Sequence, residues 1–169
     1  MKILFICTHN RCRSILAEAI ANHVGAPHIK AASAGSLPSG VVHPLTVTSV
    51  FKHGVDTHDL QSQSWDEFIN FSPDAVITLC DTAARETCPV LFCNGVQAHW
   101  GLDDPSKQCM TNDNEQSQED AFNNTIRILQ QRIQRLIEVL DKPVHLNSDK
   151  AARKDALLNA LERIADEIN

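Results

Sequence analysis

Apolar and polar positions alternate along this chain in short blocks whose period keeps changing. Lys2 to Ile6 (KILFI) is a run of strand formers, and Ser14 to Val24 follows with apolar residues at 15, 16, 19, 20 and 24, the period of a helix. His28 to Ala34 reads as a second strand, with Gly35, Pro38 and Gly40 marking a loop. Pro44 to His53 predicts a helix closed by Gly54. Ser64-Trp65-Asp66-Glu67 has the form of a capping box opening a short helix. Ala75 to Leu79 (AVITL) carries the clearest signal of a buried strand. A short polar helix over Asp81 to Thr87, ended by Pro89, should follow, then a fourth strand around Ala98 to Leu102 and a turn at Asp103-Asp104-Pro105-Ser106.

Beyond the turn, Glu119 to Leu140 is a long amphipathic pattern with Phe122, Ile126, Leu129, Ile133, Leu136, Ile137 and Leu140 on one stripe. Pro143 breaks it. Asp149 to Ile168 predicts a further amphipathic helix, an appendage docked on the domain or on a partner. The expected organisation is one domain over residues 1–141 and a helical extension over 142–169. Strand and helix alternate four times, so the fold class is α/β, a four-stranded parallel sheet flanked by helices with an extra one at the C-terminus. Such sheets bind ligands beyond the carboxyl ends of their strands. Cys7 and Cys80 both fall there, directly after KILFI and AVITL.

Composition narrows the chemistry. A chain of 169 residues buries a core without staples. A net charge of −6 argues against a general nucleic-acid binder, although it leaves room for a local basic pocket. No apolar run approaches the ~20 residues of a membrane span, and the apolar run after Lys2 is too short for a signal-peptide core. The expected setting is the cytoplasm, where cysteines 7, 12, 80, 88, 93 and 109 stay mostly reduced.

The densest chemistry lies between the first strand and helix, where Cys7, Thr8, His9, Asn10, Arg11, Cys12 and Arg13 precede Ser14. A loop entering a helix N-terminus offers backbone N–H groups and a partial positive charge to an anion. Arg13 can clamp a tetrahedral oxyanion through two nitrogens, and Ser14 can add a hydrogen bond. The same donors favour the thiolate form of a cysteine at the base of the cradle. The bland alternative is a buried strand-end thiol beside a surface arginine. Nucleotide-binding fingerprints are absent, and the loop holds no glycine. A carboxylic acid beside such a site can protonate a departing oxygen, and Asp103-Asp104-Pro105 offers candidates, although Asp-Pro is also a common turn.

Cys7-x5-Arg13-Ser14 at the first strand–helix junction, together with Asp104-Pro105 near the end of the sheet, resembles the low-molecular-weight protein tyrosine phosphatases over roughly residues 1 to 140. That resemblance implies Cys7 as nucleophile, Arg13 as oxyanion binder and Asp104 as general acid. Residues 77 to 89 (ITLCDTAARETCP) and HWGLDDP at 99 to 105 look like the arsenate reductases of this class, the kind usually coupled to thioredoxin. Ser106 stands where tyrosine phosphatases commonly carry a tyrosine, and the chain has no tyrosine at all.

What this likeness implies is a thiol relay acting on arsenate. Cys7 attacks arsenate, Cys80 attacks the arsenylated sulfur, and Cys88 takes over the disulfide. No tightly bound cofactor is expected; thioredoxin, or glutaredoxin with glutathione, is the external reductant, and neither nucleic acid nor membrane is a partner. Cys80 and Cys88 are eight residues apart, about 12 Å along a continuous helix, against the roughly 7 Å between Cα atoms that a disulfide tolerates. The segment must therefore unwind when they bond. The alternatives are a phosphatase acting on phosphotyrosine or small aryl phosphates, and a non-enzymatic redox or oxyanion sensor. Cys93 is either a second resolving thiol or a buried cysteine, and Cys109 has no assigned role. Cys12 is expected to pack, and His9 either tunes the loop or faces solvent. Zinc at Cys80, Cys88, Cys93 and His99 lacks the close cysteine pair such sites use, so no metal is expected.

Overall fold

In the computed structural model, which describes residues 1–85, 95–107, 115–141 and 149–169, four parallel strands form one sheet. They are β1 (Lys2–Ile6), β2 (Lys30–Ala34), β3 (Ala75–Thr78) and β4 (Val96–His99), in the order β2-β1-β3-β4. Ile3 pairs with Ala31 on one side and Ala75 on the other, and Ile77 pairs with Ala98. Between the strands run α1 (Arg13–Val24), α2 (Pro44–Lys52), a 3-10 turn at Trp65–Phe68 and α3, described over Asp81–Arg85. The chain closes with α4 (Glu115–Leu140) and α5 (Lys150–Glu167). Among the described residues no helix is long and apolar enough to cross a membrane.

Local signals set most of these boundaries. Ser64 caps the 3-10 turn, its hydroxyl accepting from the Asp66 amide, while the Glu67 carboxylate accepts from the Ser64 amide at 2.9 Å. Gly54 follows α2 with φ +74, the left-handed conformation that closes a helix at little cost for glycine. Two boundaries differ from the sequence expectation by more than two residues. The fourth strand occupies Val96–His99 rather than 98–102, because Val96 and Ala98 fill the inward positions opposite Ala75 and Ile77. Trp100, Gly101 and Leu102 therefore lie beyond the strand end. The fourth long helix begins at Glu115 rather than 119, since its first turn (EQSQ) has no apolar residue to announce it.

Among the described residues the two faces of the sheet carry unequal cover. Ile3, Phe5, Ala75, Ile77, Val96 and Ala98 face a large core with α1, α4, α5 and part of α2, built around Leu16, Ile20, Phe122, Leu129 and Ile133. Leu4, Ile6, Ala32, Ala34 and Val76 face a small cluster with Cys7, Cys80 and Ala83, edged by Trp65, Phe68 and Phe71. The C-terminal helix docks on the domain itself: Leu161 and Ile164 are buried in the large core.

Candidate active site

At the carboxyl end of β1 the backbone enters residues 8–12, and the carbonyls of Thr8, His9 and Arg11 are bonded outward. The carbonyl of Thr8 accepts from the Leu37 amide at 2.9 Å, that of His9 from Ser39 at 3.0 Å, and that of Arg11 from His43 at 3.0 Å and from the Thr46 hydroxyl at 3.0 Å. Carbonyls engaged outward leave the loop's N–H groups as the donors available to an anion. Gly35 permits the close approach of the covering segment. A Cβ there would lie 2.6 Å from the Thr8 carbonyl oxygen and 2.9 Å from the Asn10 Cβ.

Asn10 shapes the loop from within. It takes φ 42, a left-handed conformation that asparagine tolerates better than most residues. Fully buried, its amide donates to the Ser14 hydroxyl at 2.8 Å and to Ser33 at 2.9 Å, while its carbonyl oxygen accepts from the Gln63 amide at 2.6 Å. The Ser14 hydroxyl lies 3.0 Å from the Cys7 sulfur, and Ser33 donates onward to Glu18 at 2.7 Å. A hydrogen-bonded chain thus links the Cys7 thiol through Ser14, Asn10 and Ser33 to a half-buried carboxyl. Burial pushes the Glu18 carboxyl up to about 7, with the Asp59 carboxylate acting in the same direction against the hydrogen bonds from Ser33. The sequence reading included Asn10 and Ser14 but missed Ser33, Glu18 and Gln63. An asparagine in a glycine-free tight loop was the one local signal for this network.

Arg13, the first residue of α1, is oriented by three acceptors. One nitrogen donates to the Leu102 carbonyl at 2.9 Å and to that of Leu79 at 3.5 Å, and the other pairs with Asp104 Oδ2 at 3.0 Å. Asp104 Oδ1 accepts from the amide and the hydroxyl of Ser106, at 3.1 and 2.7 Å. Burial by itself would raise the Asp104 carboxyl, but the Ser106 hydrogen bonds and the Arg13 charge outweigh it and hold the carboxyl below its usual range. In the resting site, then, the candidate acid and the candidate oxyanion binder are paired with each other.

Cys80, at the carboxyl end of β3, is buried in the same small cluster as Cys7. Its sulfur lies 3.5 Å from the Thr8 hydroxyl and accepts from the Ala83 amide at 3.4 Å, in the first turn of α3. A cavity of about 370 Å³ opens over these groups, with Thr8, Arg13, Cys80 and Asp104 in its wall and His9 and Lys107 contributing as well. Arg13 and Lys107 share that wall with Asp81, Asp103 and Asp104, so the cavity is of mixed charge rather than the local basic pocket the sequence left room for. Cys12 points away into the large core, where burial pushes its thiol up, and Arg11 is exposed. The expectations for Cys88, Cys93 and Cys109 fall outside the described residues, as does most of the zinc alternative. Among the described residues no group of three histidine, cysteine or acidic side chains is placed to hold a metal.

This arrangement of sheet, loop and acid has relatives. The family profile described as low molecular weight phosphotyrosine protein phosphatase matches residues 2–146. An arsenate reductase of Halalkalibacterium halodurans is 36% identical over 105 residues, covering 62% of this chain and 74% of that one. A solved arsenate reductase in its phosphate-binding state superposes with a TM-score of 0.66 at 28% identity, covering 81% of this chain and 96% of the other. A thioredoxin-dependent arsenate reductase of Corynebacterium glutamicum gives a TM-score of 0.54 at 28% identity, over 79% of this chain and 61% of that one.

Proposed function

Because this chain belongs to the low molecular weight phosphotyrosine protein phosphatase family, we propose that it is an arsenate reductase working by a cysteine relay and recharged by thioredoxin or a similar external dithiol. The observation that carries the relay is the burial of Cys7 and Cys80 in one cluster, with Cys80 in reach of the residue next to Cys7. A hydrolytic phosphatase has no use for a second thiol at that position. The relatives named arsenate reductase support the same reading.

In the first step the Cys7 thiolate attacks arsenic(V) in arsenate held by the loop amides and Arg13. An S–As bond forms, an As–O bond breaks, and the departing oxygen takes a proton from Asp104 and leaves as water. An arriving oxyanion competes with Asp104 for the guanidinium, and loss of that ion pair raises the proton affinity of the carboxyl when a proton is needed. In the second step the Cys80 thiolate attacks the Cys7 sulfur. The S–S bond forms, the S–As electron pair passes to arsenic, and arsenite, now arsenic(III), departs. Cys88 then attacks the Cys7–Cys80 disulfide at Cys80, releasing the Cys7 thiolate, and the external dithiol reduces the Cys80–Cys88 bond with two electrons.

The Ala83 amide, donating to the Cys80 sulfur at 3.4 Å, and the Thr8 hydroxyl, 3.5 Å from it, support the middle step by holding that sulfur beside the loop that carries Cys7. The decisive experiment is arsenate-dependent NADPH oxidation with thioredoxin and thioredoxin reductase. Wild type should turn over repeatedly, whereas Cys80→Ser should stop at the arsenylated Cys7 and Cys88→Ser at the Cys7–Cys80 disulfide, after a single arsenite. Multiple turnover in both variants would rule out the relay, and no arsenate-dependent oxidation in wild type would favour a hydrolase.

A further inference from the structure

Helix α5 begins at Lys150, past the end of the family match at residue 146, and its contacts converge on the chain just before the Asp104 turn. We propose that α5 is a brace for that turn, acting through Trp100 and Arg132 as positioning residues. The inference rests on the reading of Arg13 and Asp104 as the oxyanion binder and the acid.

Trp100 is the first residue beyond β4 and has no exposed surface. Its amide donates to the Thr78 carbonyl at 2.8 Å, and its indole N–H donates to the Leu161 carbonyl of α5 at 2.9 Å. Its own carbonyl accepts from one terminal nitrogen of Arg132 at 3.0 Å. The ring is 6.2 Å from Phe5, and the Arg132 guanidinium lies 5.7 Å from its centroid. Arg132 directs its other two nitrogens to the far end of α5, donating to the Ile168 carbonyl at 3.0 Å and to that of Ala165 at 3.4 Å.

A guanidinium only 1% exposed is an expensive way to fill a core, and an apolar side chain of similar volume commonly does as well or better for stability. What it adds is direction, because its planar fork fixes three carbonyls relative to one another. Two of the three lie at the C-terminal end of α5, Ala165 in its last turn and Ile168 as its cap, where helix carbonyls lack intrahelical partners and carry partial negative charge. The extension therefore supplies the acceptors and the compensating charge that let Arg132 hold the Trp100 carbonyl. Burial lowers Arg132 to about 10, still charged at neutral pH.

From Trp100 the constraint has a short path to the site. Two residues on, the Leu102 amide donates to the Leu79 carbonyl at 3.2 Å and the Leu102 carbonyl holds Arg13. Asp104 follows two residues later. A shift of Trp100 is thus passed to the acceptor that orients Arg13 and to the acid itself.

The test uses the full-length chain with Trp100→Phe, which keeps the aromatic bulk and loses the indole donor, and Arg132→Met, which keeps the length and loses the fork. Two readouts are taken on folded protein: the first-turnover rate with arsenate, and amide hydrogen exchange at Leu102 and Ser106. Both variants should lower the first-turnover rate about tenfold while the arsenate concentration at half-saturation stays within about twofold, because the loss falls on the transition state. Exchange at Leu102 and Ser106 should rise. A role confined to stability would lower the melting temperature and leave both readouts at wild-type values, which overturns the proposal. Faster exchange with an unchanged turnover rate overturns the positioning role as well. Should Arg132→Met fail to fold, Trp100→Phe decides alone. A wild-type protein that reduces no arsenate would sink the proposed activity, whereas the exchange comparison would still decide whether α5 braces the loop.

Discussion

Neighbouring residues of the same strands face two very different environments. Ile3 and Phe5 meet a core built from three long helices and part of α2; Leu4 and Ile6, equally buried, meet a thin layer of Ala83, Trp65, Phe68 and Phe71 among the described residues. The groups the mechanism needs fixed hang from the thick side: Arg13 opens α1, and the Asp104 turn leaves the sheet at Trp100, which is locked under α4 and α5. The two sulfurs that the proposed relay would join, Cys7 and Cys80, lie in the thin cluster. Regional stability follows the apolar surface buried locally, so among the described residues the Leu4 and Ile6 side is held by the smaller cluster. The difference separates two demands of the proposed reaction, rigid presentation of charge and joining of thiols, onto opposite faces of one sheet.

The largest effect that tests this division is Cys80→Ser. It should end multiple turnover while leaving the melting temperature close to wild type, because one small buried atom of a thin layer is exchanged for another. A large drop in melting temperature would show that Cys80 supports the fold. Next comes Asp104→Asn on the fixed side. The first turnover should slow on the order of 10²–10⁴-fold, as removal of a general acid does, and stopped-flow measurement with arsenate would read it.

A matched pair of core substitutions compares the faces directly. Ile3→Ala opens a cavity among long helices that cannot close in, and should cost about 4 kcal/mol; Ile6→Ala lies under a layer that can settle, and should cost about 2 kcal/mol. Equal costs in urea denaturation would break the comparison.

The smallest effect is electrostatic and sits on the thick side. Glu18 has its carboxyl raised from 4.5 to about 7 in the folded protein, so between those values the folded state keeps a proton that the unfolded state has released. Stability should therefore fall as pH rises through that window, by on the order of 3 kcal/mol at most, and level off above it. Glu18→Gln, whose amide oxygen can still accept from Ser33, should flatten the profile and be more stable than wild type at pH 8. A wild-type profile already flat between pH 5 and 7 would refute this.

The chain by itself determined what depends on residues close to one another: the order of strands and helices, the capping box at Ser64, the stop at Gly54, and the spacing of Cys7, Arg13 and Ser14 at a strand–helix junction. These follow from backbone preferences and apolar period, which act over a few residues and can be read from them. Only the tertiary structure decided that Arg13 pairs with Asp104 across 91 positions, that Gln63 and Ser33 pin Asn10, and that the fourth strand ends at His99. It also decided that α5 seats its C-terminal end on Arg132 rather than on another molecule. Each of those partners is chosen by the packing of the whole sheet, which brings distant segments within hydrogen-bond reach, and no local pattern of hydrophobic and polar residues encodes which distant segment arrives.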